Sequence, residues 1–121
     1  MITGTGIDIV NMKRIRRMLE EHGERFIRKV LSEEEIKGLP RVNREEYISG
    51  RFAAKEALAK ATDEKFVFTE VSVINDSSGK PYFTGDFIAK SFRGSNIHLS
   101  ITHDTDYAAA FVIIEKNEGE S

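Results

Sequence analysis

The segment RFAAKEALAKA, Arg51 to Ala61, is made of strong helix formers from end to end. Asn43 followed by Glu46 marks the start of the long helix that contains it. Its charges fall in an unusual pattern. Helical periodicity gathers Tyr47, Ala54, Ala57, Leu58 and Ala61 into one stripe suited to burial. Ile48, Phe52 and Ala59 lie on the opposite side, among Arg51, Lys55, Glu56 and Lys60. Glu56 and Lys60, four residues apart in the favourable order, can be an exposed ion pair. Alternatively, the face lines a site for something charged.

The flanking sequence fills out the fold around this helix. Residues 2–10 read as a first strand with Ile7 and Ile9 on one face, and Asn11 caps a helix built on Met12, Ile15 and Leu19 that Gly23 ends. Residues 26–31 continue helically, and Ser32 with Glu35 forms a capping box for a short helix stopped by Pro40. Residues 66–74 and 82–84 read as strands joined by the turn residues of NDSSGKP. A short helix over 86–93 ends at Gly94. Ile97, Leu99 and Ile101 alternate with His98, Ser100 and Thr102, and HDTD turns the chain into YAAAFVIIE, apolar enough for a central strand. The expectation is one α+β domain over 1–121, a small antiparallel sheet flanked by helices, with a frayed tail from about residue 116.

Composition narrows the function. The chain has no cysteine, so disulfides, zinc-thiolate sites and cysteine nucleophiles are excluded. No apolar run approaches membrane-spanning length, and MITGTGIDIV lacks the features of a signal peptide, so a cytoplasmic location without membrane attachment is expected. Net charge is -2, which argues against a nucleic-acid partner, although Lys13, Arg14, Arg16, Arg17, Arg25, Arg28 and Lys29 make one basic segment suited to an acidic partner. GTGID is no dinucleotide fingerprint, because Ile9 stands where a third glycine is needed.

Asp8 sits among Gly6, Ile7, Ile9 and Val10, where an ionised carboxylate is costly unless it is paired or metal-bound. Its bland role is to cap the first helix. Asp8 and Glu56 together would suit Mg²⁺, which typically takes one or two carboxylates and completes its shell with water and substrate phosphates. Among the histidines, His22 ends a charged helix, His98 faces outward or across the sheet, and His103 precedes a turn, where sites are often built. No serine, cysteine or lysine stands in a recognisable nucleophile motif.

GIDIVNMKRI, RFAAKEALAKA, SGKPYF and IHLSITHDTDYAAAFVI, in this order and at these separations, resemble the holo-acyl-carrier-protein synthases, the short bacterial 4′-phosphopantetheinyl transferases. The resemblance covers nearly the whole chain. It implies that fold, with transfer of the phosphopantetheine arm of coenzyme A to a serine of acyl carrier protein in support of fatty acid biosynthesis. Carried over by motif, Asp8 and Glu56 would hold Mg²⁺ and Lys60 would contact the phosphates, Glu56 and Lys60 serving catalysis. Lys60, Lys80, Pro81, Thr102 and His103 would line the coenzyme A site, while Arg14, Arg25, Phe26 and Lys29 would meet the carrier. It also implies a homotrimer with sites between subunits. The apolar strand from Tyr107 to Ile114, and Ile48 and Phe52 on the second face of the long helix, fit that assembly. One departure is the link ATDEKFVF, which has no glycine where such synthases commonly carry a glycine-rich loop. A coenzyme A-binding regulator and an RNA-associated protein are the competing readings.

Overall fold

The structure, a computed structural model, describes residues 1–118. Its elements are β1 (Ile2–Asn11), α1 (Met12–His22), α2 (Glu24–Val30), α3 (Glu33–Lys37), α4 (Arg44–Ala61), a 3₁₀ turn (Phe68–Glu70), β2 (Ser72–Asn75), β3 (Pro81–Thr84), α5 (Asp86–Ser91), β4 (Ser95–Asp104) and β5 (Tyr107–Lys116). The α+β expectation holds. β5 is the centre of a three-stranded antiparallel sheet of order β1-β5-β4, and β2 and β3 form a separate hairpin. Central placement follows from composition: Ala108, Ala110, Val112 and Ile114 alternate as fully or nearly buried residues on the face that α4 covers.

Helix α4 crosses this face obliquely. Near its start, an added Cβ at Gly50 would touch Ile101 on β4, and near its end Ala57 and Ala61 lie against Gly6 and Gly4 of β1. The β1 contact is possible only without side chains. A Cβ at Gly4 would sit 1.8 Å from the Ala61 carbonyl oxygen, and one at Gly6 1.9 Å from that of Ala57. The glycines are thus a platform for close packing, as their place in a strand indicates.

Several boundaries differ from the sequence reading for identifiable reasons. Ile7 and Ile9 do share a face, but it is the outer one, where they are 65% and 67% exposed. A period of two reveals the shared face and not which side is covered. Asn43 adopts a left-handed conformation (φ 58°) and makes no side-chain cap, whereas Asn11 caps α1 by accepting from the Lys13 N–H and Ser32 and Glu35 complete their box. Residues 66–71 are not strand: the 3₁₀ turn occupies the middle, closed by the Glu70 carboxylate accepting from the Val67 N–H, and β2 begins only at Ser72. Lys116 and Asn117 are tied by backbone bonds to Met1 and Gly94 instead of fraying, and the rest of the expected tail, 119–121, lies outside the described residues.

The largest correction concerns α4. Ile48 and Lys55, assigned to its exposed side, are fully buried. Helices α2 and α3 and the 3₁₀ turn cover that side, and Lys55 pairs there with Glu35, also fully shielded. The Lys55 ammonium donates to Glu35 Oε1 and to the carbonyls of Val30 (2.8 Å) and Phe68 (3.0 Å). Glu35 also accepts from the Ser32 N–H and, through Oε2, from the Val73 N–H at 2.8 Å. Burial pushes the Lys55 pKa below the usual lysine range, with Glu35 opposing that shift. This pair joins α2, α3, α4 and β2, and no periodicity announces it.

Candidate active site

Along β1, Gly4, Gly6 and Asp8 point toward α4, since residues two apart share a strand face. Two strand residues and four helix residues both advance about 6 to 7 Å. The steps Gly4 to Ala61 and Gly6 to Ala57 therefore bring Asp8 level with the turn that begins at Ala53. Lys60 projects at this edge, and Glu56 lies one turn earlier on α4. The Lys60 ammonium donates to Asp8 Oδ1 at 3.1 Å and to the Ile7 carbonyl at 2.9 Å. Asp8 does not cap α1, a role Asn11 fills. Glu56 is half-buried and enters no ion pair among the described residues. The supposed surface pair Glu56–Lys60 is thus replaced by Asp8–Lys60, which links strand to helix.

Phe52 explains itself in the same region. Its ring meets Phe68 edge-on at 5.8 Å, and the Arg14 guanidinium lies over it at 5.9 Å from the centroid. A chain of ring contacts runs on through Phe66 and Phe87 to Phe92. The glycine-free link after α4 is therefore held by aromatic packing.

A second concavity lies at the opposite end of α4, lined by Tyr47, Gly50, Arg51, Pro81, Ile101 and His103. Arg51 stacks on the Tyr47 ring at 3.6 Å from the centroid, with its Nε 3.8 Å from Glu35 Oε2. Neither Arg51 nor Tyr47 stands out in the sequence as lining a cleft; the signal is present only as an arginine four residues after a tyrosine in a helix. Lys80 adjoins this cleft at the hairpin turn. There the Asp76 carboxylate accepts from the Ser78 hydroxyl and the N–H groups of Ser78 and Lys80, which hold its pKa below the usual carboxylate range.

The expected coenzyme A residues do not converge within one chain. His103 aligns with Ala108 on β5 and Val10 on β1, so two inter-strand steps, about 10 Å, separate the His103 and Val10 backbones. Asp8 is two residues further along β1. Thr102 aligns with Ala109 and Ile9, on the outer face of the sheet, opposite to His103. The basic residues are separate again: Met18, His22, Arg25, Phe26 and Lys29 line a shallow groove between α1 and α2. Arg25 and Lys29 are exposed on it, whereas Phe26 is only 7% exposed and forms its floor. His22 is exposed and His98 points outward to Glu115 Oε1, as their positions suggested.

At this edge of a helix laid against an antiparallel sheet, Asp8 and Glu56 offer carboxylate acceptors of the kind a hard cation takes, and Lys60 offers a donor of the kind a phosphate takes. The chain belongs to the 4′-phosphopantetheinyl transferase superfamily, whose family model matches residues 4–112. Within it, the chain is similar to the holo-[acyl-carrier-protein] synthase of Wolbachia sp. subsp. Drosophila simulans (strain wRi), 42% identical over 120 residues that span 94% of this chain and 98% of that one. It superposes on the holo-[acyl-carrier-protein] synthase of Neisseria meningitidis with a TM-score of 0.88, at 36% identity, over 96% of this chain and 100% of that one. The Bacillus anthracis synthase, crystallised in complex with CoA (3′,5′-ADP), superposes with a TM-score of 0.80 at 36% identity, over 97% of this chain and 99% of that one.

Proposed function

We propose that this protein transfers the 4′-phosphopantetheine arm of coenzyme A to a serine of apo-acyl carrier protein, releasing adenosine 3′,5′-bisphosphate, in support of fatty acid biosynthesis. The observation that carries the proposal is the meeting of Asp8 on β1 with Lys60 on α4, one turn from Glu56, in a chain of this family. No helix among the described residues is long and apolar enough to cross a membrane, and we assign the reaction to the cytoplasm.

Asp8 and Glu56 would hold Mg²⁺. Their oxygen donors are of the kind that a hard cation takes, one or two carboxylates at a time; no group of three His, Cys, Asp or Glu side chains gathers among the described residues. Two carboxylates leave room for water and for the pyrophosphate oxygens of coenzyme A. When bound, Mg²⁺ neutralises the pyrophosphate and polarises the phosphorus under attack. Lys60, more than half exposed, can follow the phosphates and stabilise the leaving phosphate charge. Glu56 accepts the proton of the carrier serine, directly or through water. The serine oxygen then bonds to the phosphorus bearing the pantetheine arm. The bond from that phosphorus to the oxygen of the adenosine-side phosphate breaks, and adenosine 3′,5′-bisphosphate leaves.

The carrier reading rests on charge. Arg14, Arg25 and Lys29 are exposed along α1 and α2, and Phe26 supports the groove between them. Incubation with apo-carrier, coenzyme A and Mg²⁺ tests the whole proposal. Mass spectrometry should find the arm on the carrier serine, and an unmodified carrier would refute the activity. In the same assay Arg14→Glu is expected to raise KM for the carrier several-fold, more at low salt, with KM for coenzyme A nearly unchanged. Equal effects on both substrates would return Arg14 to a plain solvated face.

We further propose a homotrimer in which Lys80, Pro81, Thr102 and His103 of one subunit complete the site begun by Asp8, Glu56 and Lys60 of its neighbour. Two features support this. The two halves lie at opposite ends of α4. The outer sheet face also exposes Ile7, Ile9, Tyr107 and Phe111 together, with Ile7 aligned to Phe111 and Ile9 to Ala109. Ile48 is core and drops out of the assembly argument. Mixing inactive Asp8→Ala with inactive His103→Ala should restore about a quarter of the activity if subunits pair at random. Sedimentation as a fully active monomer would exclude the shared site.

A further inference from the structure

Lys60 holds the carboxylate that the proposed metal needs. Its ammonium, 55% exposed, donates to Asp8 Oδ1 at 3.1 Å and to the Ile7 carbonyl at 2.9 Å, while the Asp8 side chain is only 15% exposed. A carboxylate so far withdrawn from water needs a cation beside it, and in this structure Lys60 supplies the positive charge. The second contact, to a β1 carbonyl, fixes the ammonium at the strand edge and makes it more than a long-range counter-charge. Glu56, one turn earlier on α4, remains without an ion pair among the described residues.

A divalent ion arriving alone at Asp8 therefore competes with a charge already in place. Phosphate changes the balance, because its oxygens give the Lys60 ammonium another acceptor and free Asp8. Conversely, an ion on Asp8 frees Lys60 to meet a phosphate. Resting on the metal assignment above, we propose that Lys60 is a resident stand-in cation at Asp8, and that exchanging it makes divalent-cation binding and pyrophosphate binding depend on each other. Such coupling is reciprocal: whatever factor coenzyme A adds to metal affinity, the metal adds to coenzyme A affinity.

The test is a titration of free Mn²⁺ by electron paramagnetic resonance, with the full chain and no coenzyme A. Lys60→Met keeps a long side chain at an exposed position and removes the charge. It is expected to bind Mn²⁺ about tenfold more tightly than the unmodified protein, the size of a typical coupling between sites. Adding Asp8→Asn to Lys60→Met should abolish the gain. Lys65→Met, which removes the same charge from a residue with no ion pair among the described residues, should change Mn²⁺ binding less than twofold. Unchanged Mn²⁺ affinity in Lys60→Met, or an equal gain in Lys65→Met, overturns the proposal. A second arm, with coenzyme A, separates it from the reading beneath it. Mn²⁺ binding that Asp8→Asn removes upholds the metal site whatever Lys60→Met does, and binding that Asp8→Asn leaves intact overturns both.

Discussion

Glu56→Gln is expected to slow arm transfer by about 10²-fold or more, the usual loss when a charge-stabilising group is removed from a preorganised site. The substitution keeps size and shape and removes only the charge and the basicity. Glu56 is half-buried at the edge of α4 and enters no ion pair among the described residues, so its carboxylate contributes little to the fold. Thermal unfolding should therefore stay close to that of the unmodified protein while the transfer rate, followed by mass spectrometry at limiting Mg²⁺, collapses. Asp8→Ala should lose as much activity for a related reason, and it also removes one of the two contacts that hold Lys60 at the strand edge. A folded Glu56→Gln protein that keeps its full rate at limiting Mg²⁺ would remove Glu56 from both the metal site and the chemistry.

The second large effect is on stability. Lys55→Met should lower the unfolding temperature by roughly 10 °C, corresponding to about 3 kcal/mol, because breaking a buried pair strands the remaining charge. The stranded group is Glu35, fully shielded and fixed by two backbone N–H donors, with only the Arg51 guanidinium at 3.8 Å as a remaining cation. That neighbour moderates the loss and sets it at the lower end of the range for such pairs. The lost ammonium also leaves the carbonyls of Val30 and Phe68 without this donor. The double variant Lys55→Met, Glu35→Gln should recover part of the loss, since no uncompensated charge is then buried. An unfolding temperature unchanged in Lys55→Met would mean that the pair is solvated and dispensable.

Local signals were legible where the chemistry is local. Asn11 caps α1, Gly23 ends it, Ser32 and Glu35 close their box, and the apolar run from Tyr107 became the central strand. Each depends on neighbouring residues or on plain apolarity. What failed depends on partners far along the chain. Lys55 reads as part of a charged outer face, because its carboxylate partner lies twenty residues earlier and its cover comes from α2 and the 3₁₀ turn. Ile7 and Ile9 were grouped correctly, but only the arrival of α4 on the other side decides that they point out. For the proposed site, the motifs single out Asp8, Glu56 and Lys60, but the bond that joins Asp8 to Lys60 is not legible from them, since residues four apart on one helix point to the Glu56–Lys60 pair instead. The cleft with Arg51 over Tyr47 was invisible because stacking needs a geometry that residue types do not specify.

The two bare positions beneath α4 set a gauge for the proposed chemistry. Asp8 rides on one element and Glu56 and Lys60 on another, so their separation is the clearance between strand and helix. Gly4 and Gly6 reduce that clearance to backbone against backbone. A methyl group at Gly6 would force α4 away by about 1 Å or more, whereas a working constellation tolerates about 0.5 Å. A hydrogen atom replaced by carbon, on a residue with no reactive group, would thus be enough to pull the proposed machinery apart while every one of its side chains remained in the chain.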